Sequence, residues 1–133
     1  MTVHIESLTW DCADPGALAR WWSEALGWPD VYVWDDGDAT LSAPADGSGA
    51  LGVRRFDFLR VDDEKRAKNR LHLDLRPDDQ DAEIARFEAF GARRIDVGQA
   101  GTESFVVFAD PEGNEFCILR PGPLDVDLDE VRG

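Results

Sequence analysis

Cysteine is nearly absent from this chain. Cys12 and Cys117 are the two in 133 residues, and no motif spacing relates them. A disulfide framework and a zinc knuckle are therefore excluded as organising devices, and a reducing cytosol fits. Basic residues are scarce as well, 14 against 28 acidic ones, for a formal net charge of −14. A field of that sign repels phosphate backbones and anionic lipid, so neither nucleic acid nor a membrane surface is an expected partner. No apolar run approaches the length of a membrane span. The segment Met1-Thr2-Val3-His4-Ile5-Glu6 has no basic stretch leading into an apolar one, so no signal peptide is expected. The expectation is a cytoplasmic protein. What is present is ordinary globular material, 43% hydrophobic, in a length that suits one domain with a sizeable core.

The most informative stretch is Arg70-Leu71-His72-Leu73-Asp74-Leu75-Arg76-Pro77. Leucines alternate with polar residues at a period of two, the pattern of a strand with one face in the core. The other face carries an imidazole, a carboxylate and a guanidinium in a row. His72 and Asp74 stand about 7 Å apart between Cα atoms on that face. That is close enough for the carboxylate to orient the imidazole, or for both to touch one ligand. A solvated strand face is the competing reading.

The remaining elements fall into a repeated order. Val3 to Cys12 reads as a strand, with Leu8, Trp10 and Cys12 on the apolar side and Ser7, Thr9 and Asp11 on the other. Asp14-Pro15 supplies an N-cap and a first helical proline, and Gly27 stops the helix. Val31–Trp34 and Ala39–Ser42 read as strands joined by a tight turn at Asp35-Asp36-Gly37-Asp38. Ala43 to Gly49 is a loop, and a further strand lies within Leu51 to Val61, its register open because Arg54-Arg55 interrupts the pattern. After the charged linker Asp62 to Lys68 the order recurs: a strand at 70–76, and a helix after Asp79 with Ile84, Phe87 and Phe90, ended by Gly91. Strands follow at Arg93–Val97, Glu103–Ala109 and Glu115–Leu119, the last two joined by a turn that Asp110 holds with its own side chain. Cys12, Trp10, Trp21 and Trp22 are expected in the core, and Trp28 and Trp34 at a pocket mouth.

One register shift lays Leu8 on Leu73, Trp10 on Leu75 and Asp14 on Asp79. The predicted fold class is α+β: two βαβββ modules, about 3–61 and 70–120, with a tail at 121–133, in a single domain over 1–133. Each module carries a curved mixed sheet with its helix on the outer face. Two such sheets facing each other would enclose a cleft, lined from the first module by Ser7, Thr9 and Asp11. The second module would add His72, Asp74, Arg76, Glu115 and Cys117.

The paired modules, Ala25-Leu26-Gly27-Trp28 at the end of the first helix, and Phe108-Ala109-Asp110-Pro111-Glu112-Gly113-Asn114 before the last strand together resemble the vicinal oxygen chelate superfamily. This is the group of the glyoxalases, bleomycin-resistance proteins and extradiol dioxygenases. The resemblance covers residues 3 to 120. Lys68-Asn69-Arg70-Leu71-His72-Leu73-Asp74-Leu75 is similar to a glyoxalase-like subgroup. In metal-dependent members of the superfamily one divalent ion is held from the first and last strands of both modules, usually by His or Gln, Glu, His and Glu. Carried over residue by residue, His72 matches. Cys117 stands where a glutamate is expected, Ser7 occupies the first position, and Asp57 is the residue the first module's last strand offers. The resemblance thus implies one divalent metal ion of unspecified identity, with His72, Cys117 and Asp57 as its candidate ligands. The cleft itself points to His72 and Asp74 as catalytic residues, and to Ser7, Thr9, Arg76 and Glu115 against a small-molecule substrate.

Two functions stand side by side at this point. One is a metal-dependent lyase, isomerase or dioxygenase acting around His72. The other is a metal-free binding or sequestration module of the drug-resistance kind, whose acidic balance would suit a cationic ligand. A third reading, an interaction domain without a small ligand, also stays open. A homodimer is expected in any case, since sheet edges and tryptophan-rich surface favour association.

Overall fold

The structure, a computed structural model, describes residues 3–46, 53–95 and 105–122. The ends of the expected loop at Ala43–Gly49 and of the strands at Arg93–Val97 and Glu103–Ala109 lie outside the described residues, as does the tail from 123 onward. The chain divides into two compact units, Met1–Ala67 with Pro111–Gly113, and Lys68–Asp110 with Asn114–Gly133.

The first unit contains β1 (Ser7–Cys12), α1 (Pro15–Leu26), β2 (Val31–Val33), β3 (Ala39–Ser42) and β4 (Arg55–Arg60). Its mixed sheet has the order β1-β4-β3-β2, with β1 and β4 parallel and the other pairs antiparallel. Asp14 caps α1 by accepting from the Ala17 N–H, and Gly27 closes it in the left-handed conformation at φ 69°, which glycine adopts without a Cβ penalty. Each cap of the Asp14 type stabilises a helix by about 1 kcal/mol. Leu18, Ala19, Trp22 and Ala25 are the buried stripe of α1. They cover the sheet face that carries Trp10, Phe56 and Phe58, with Trp10 centred 4.7 Å from Phe56 and 5.9 Å from Trp22. Glu112 belongs with this unit, where its carboxylate accepts from the Ala13 and Asp14 N–H groups at 2.6 and 2.8 Å.

The second unit repeats the plan with β5 (Leu73–Leu75), α2 (Gln80–Ala89), β6 (Arg93–Arg94), β7 (Phe105–Ala109) and β8 (Glu115–Leu119). Its sheet order is β5-β8-β7-β6, with β5 and β8 parallel. Asp79 caps α2, and Ile84 and Phe87 of that helix are buried with Phe108, Phe116 and Ile118 of the sheet. Phe87 lies 5.5 Å from Phe116 between ring centroids. The Asp110-to-Asn114 turn is held by Asp110 itself, whose carboxylate accepts from the backbone N–H and the side-chain amide of Asn114.

The predicted α+β class and the two βαβββ modules are what the chain forms. Three details differ. The strand expected over 70–76 is confined to Leu73–Leu75, and Leu71 is 73% exposed. Its ladder partner runs only over Phe116–Ile118, and further back the chain is held by a side chain, Asn69 N–H donating to Glu115 at 3.0 Å. The first strand likewise begins at Ser7, where pairing with Arg55 begins, leaving Val3 and Ile5 exposed. Trp28 is buried, not at a pocket mouth, with its ring 5.0 Å from Phe56. The turn at Gly27 folds it back under the helix. The open register of β4 is settled by Thr9↔Asp57 and Trp10↔Phe58, which sends Phe56 and Phe58 to the core. Among the described residues no helix is long and apolar enough to cross a membrane.

Candidate functional site

The second unit's sheet has one face under α2 and one face away from it. Alternation puts Leu73, Phe116 and Phe108 on the helix side, and His72, Asp74, Glu115, Cys117, Phe105 and Val107 on the other. Asp74 and Cys117 are direct partners in the β5–β8 ladder, so backbone pairing alone sets carboxylate beside sulfur. His72 precedes them on the same face, its Nε2 3.2 Å from Asp74 Oδ1. One ligand atom from each of the three lies within 4.8 Å of the other two.

They open onto a cavity of about 280 Å³. Phe105, Val107 and Leu119 make its apolar wall, and Lys68 and Glu115 complete its polar lining. Cys117 is 7% exposed, whereas the His72 and Asp74 side chains are 39% and 52% exposed. The sulfur is therefore the floor of the site, and the imidazole and carboxylate its accessible edge. Burial pushes the Cys117 thiol up from 9.0 to about 11, helped by the charge and hydrogen bond of Asp74 and opposed by Lys68. A thiol kept protonated at neutral pH is a poor nucleophile, and it would have to give up its proton to serve as a metal ligand.

The donor set fits a metal ion. One nitrogen, one oxygen and one sulfur converge from the start of β5, the residue before it and the neighbouring β8, and among the described residues no other group of three His, Cys, Asp or Glu side chains does so. The other residues singled out in sequence are placed as follows. Glu115 lines the same cavity, 9% exposed and anchored by the Asn69 N–H. Arg76 donates to the Arg120 carbonyl at 2.7 Å and is not among the residues lining the cavity. Ser7 and Thr9 lie in the first unit on the sheet face away from α1, Thr9 being paired with Asp57. Asp57 accepts from the Arg55 guanidinium at 3.0 Å and from the Thr40 hydroxyl at 2.8 Å, and it is not one of the three convergent donors. The Arg55 pKa is raised by its hydrogen bond to Asp57 and by that residue's charge.

Sequence reasoning missed Lys68, Phe105, Val107 and Leu119. In sequence Lys68 reads as the end of the charged linker Asp62 to Lys68. The other three share their parity with Cys117, and that parity was the signal available.

Known proteins are similar to this chain in a consistent way. The family model of the glyoxalase-like domain matches residues 7–119. No curated protein matches. Among solved structures, the oxidase ChaP-H2 is 20% identical, with 94% of this chain and 98% of that one covered at a TM-score of 0.63. A mutant of the fosfomycin resistance protein FosX from Listeria monocytogenes was solved with Mn(II) and 1S,2S-dihydroxypropylphosphonic acid. It is 12% identical, with 92% of this chain and 93% of that one covered at 0.65. A possible glyoxalase from Bacillus cereus is 12% identical, with 89% and 99% covered at 0.62. At such identities the likeness is one of fold.

Proposed function

This chain belongs to the glyoxalase-like domain family, within the vicinal oxygen chelate superfamily, and from that premise we propose that its second module is an enzyme site for a small molecule, worked with one divalent cation. The observation that carries the reading is the convergence of His72, Asp74 and Cys117 on one cavity, beside an apolar wall of Phe105, Val107 and Leu119. The Mn(II) and phosphonate named for the FosX structure support it as precedent on the same fold.

His72, Asp74 and Cys117 would hold the cation. When bound, it supplies a Lewis acid that polarises a substrate oxygen. The protein's own part is to bind and orient. Phe105, Val107 and Leu119 take the apolar portion of a molecule small enough for the cavity and keep water from it. Its polar end is thereby set at the exposed edge formed by His72 and Asp74. The 3.2 Å approach of His72 Nε2 to Asp74 Oδ1 keeps the two side chains together at that edge. Glu115, anchored by Asn69, presents a carboxylate to the same space and is placed to take a proton. These parts suit proton abstraction beside a carbonyl or epimerisation, and oxygen-dependent ring cleavage belongs to the same group.

One observation favours a second reading. With the two carboxylates of Asp74 and Glu115 lining the cavity against the single ammonium of Lys68, a cationic molecule could be held without metal, as in a sequestration protein. Elemental analysis of untagged protein purified without chelators separates the two. The enzyme reading expects stoichiometric metal, lost in His72→Ala.

The reading extends to a cytoplasmic homodimer acting as one domain over residues 1–133. Tyr32, Val33 and Trp34 support association, because they are exposed at and beside the edge strand β2. Light scattering at micromolar concentration should give twice the 14.8 kDa chain mass, and a monomeric mass would end that part of it.

A further inference from the structure

We propose that the His72–Asp74–Cys117 site selects a thiophilic divalent cation of the zinc type over the hard, oxygen-seeking ions, and that Cys117 sets the selection. This rests on the metal reading above and says which metal the site takes.

The donor chemistry comes first. A mixed nitrogen, oxygen and sulfur set is mismatched to magnesium, calcium and manganese, which take oxygen ligands in six or more positions. Thiolate and imidazole together favour zinc and its spectroscopic substitute cobalt. Geometry agrees. Bonds of about 2.0–2.3 Å in a tetrahedron separate donor atoms by about 3.3–3.6 Å. His72 Nε2 and Asp74 Oδ1 are already 3.2 Å apart, and all three donors lie within 4.8 Å. Small rotamer adjustments at the two exposed residues would close the rest. Cys117 needs none, because it is buried and its strand is locked to β5 through the Asp74 pair.

The count of donors also matters. Three protein ligands with an adjoining cavity reproduce the plan of a catalytic zinc site, in which the fourth position is kept for water or substrate. Asp74 and Cys117 come from adjacent strands of one sheet and His72 from the residue before β5, so selectivity is written within the second module. Asp57 and its guanidinium partner are not needed for it.

Titration of metal-free protein with Co2+ tests the proposal directly. The expected result is a near-ultraviolet thiolate-to-cobalt charge-transfer band that saturates at one equivalent. Zn2+ should abolish it at stoichiometric concentration, and Mn2+ in large excess should leave it unchanged. Cys117→Ser should lose the band and weaken Zn2+ binding by more than the roughly 10–100-fold that loss of an outer partner costs. Cys117→Asp should bind Mn2+ more tightly than the parent does. Cobalt bound without a thiolate band, or Mn2+ competing on equal terms, would overturn the selectivity while leaving a metal-dependent site standing. No binding of Co2+, Zn2+ or Mn2+ would remove both. The parent's own spectrum decides the matter even if the Cys117 variants do not fold.

Discussion

The two modules share a strand order and differ in what they place on the same positions. In the first, β1 and β4 pair Leu8 with Phe56 and Thr9 with Asp57. In the second, β5 and β8 pair Leu73 with Phe116 and Asp74 with Cys117. Thr9 thus corresponds to Asp74, and Asp57 to Cys117. Two residues earlier, Ser7 corresponds to His72, and Arg55 to Glu115. In the first module the guanidinium at Arg55 takes up Asp57 and reaches Glu6 at 3.4 Å, while Thr40 links Asp57 to the indole N–H of Trp34. Its carboxylates are spent on one another's partners. In the second module a carboxylate stands where the guanidinium would be, and the donors face a cavity. The two modules keep the same kind of core, while their outward residues differ: those of the first are tied into an ion-pair and hydrogen-bond network, and those of the second line a cavity.

The sharpest way to break this comparison is to exchange its key members. His72→Ala should abolish metal uptake while leaving the melting temperature within a few degrees, as expected for a loss of about 1 kcal/mol. Ser7→Ala, at the corresponding position, should leave uptake unchanged. Equal effects on uptake would mean that the first module contributes a ligand.

Next in size come the corresponding cores. Phe56→Ala and Phe116→Ala each remove an aromatic ring buried under a helix. Each should cost about 3–5 kcal/mol in denaturant unfolding. A negligible loss at Phe116 would show that α2 does not cover the second sheet as α1 covers the first.

Much of this was legible in the sequence, for local reasons. Asp14, Pro15 and Gly27 bound α1 because caps act within a few residues. The period-two pattern put His72 and Asp74 on one face, as the structure has them. The pattern misled at Leu71, where alternation runs on past the point at which β8 can pair. Strand ends are set by the partner, and the partner lies far along the chain. The register of β4 was illegible for the same reason. So was Lys68, because whether a charged residue near a strand joins a cavity depends on three strands together.

A smaller effect is expected from Asp57→Asn. It leaves Arg55 beside a neutral amide, and because Arg55 is 42% exposed, solvent screening keeps the loss of stability small. Metal uptake should be intact. Reduced uptake in a folded Asp57→Asn protein would bring Asp57 back as a ligand.

A further effect, confined to alkaline pH, is on the pH dependence of stability. In chelator-treated protein the Cys117 thiol ionises at about 11 in the fold and near 9.0 in the unfolded chain. Between those values the unfolded state has lost a proton that the native state keeps, so stability should fall as pH rises from about 9 to 11. Cys117→Ser should flatten that part of the profile. An identical slope in the variant would assign it to other groups.

The central claim is that the second module, and not the first, holds a cation. Elemental analysis of untagged, chelator-free protein tests it most directly, with parent, His72→Ala and Asp57→Asn measured side by side. The account predicts about one metal ion per chain in the parent and in Asp57→Asn, and none in His72→Ala. A metal-free parent, or metal retained in His72→Ala, would contradict it.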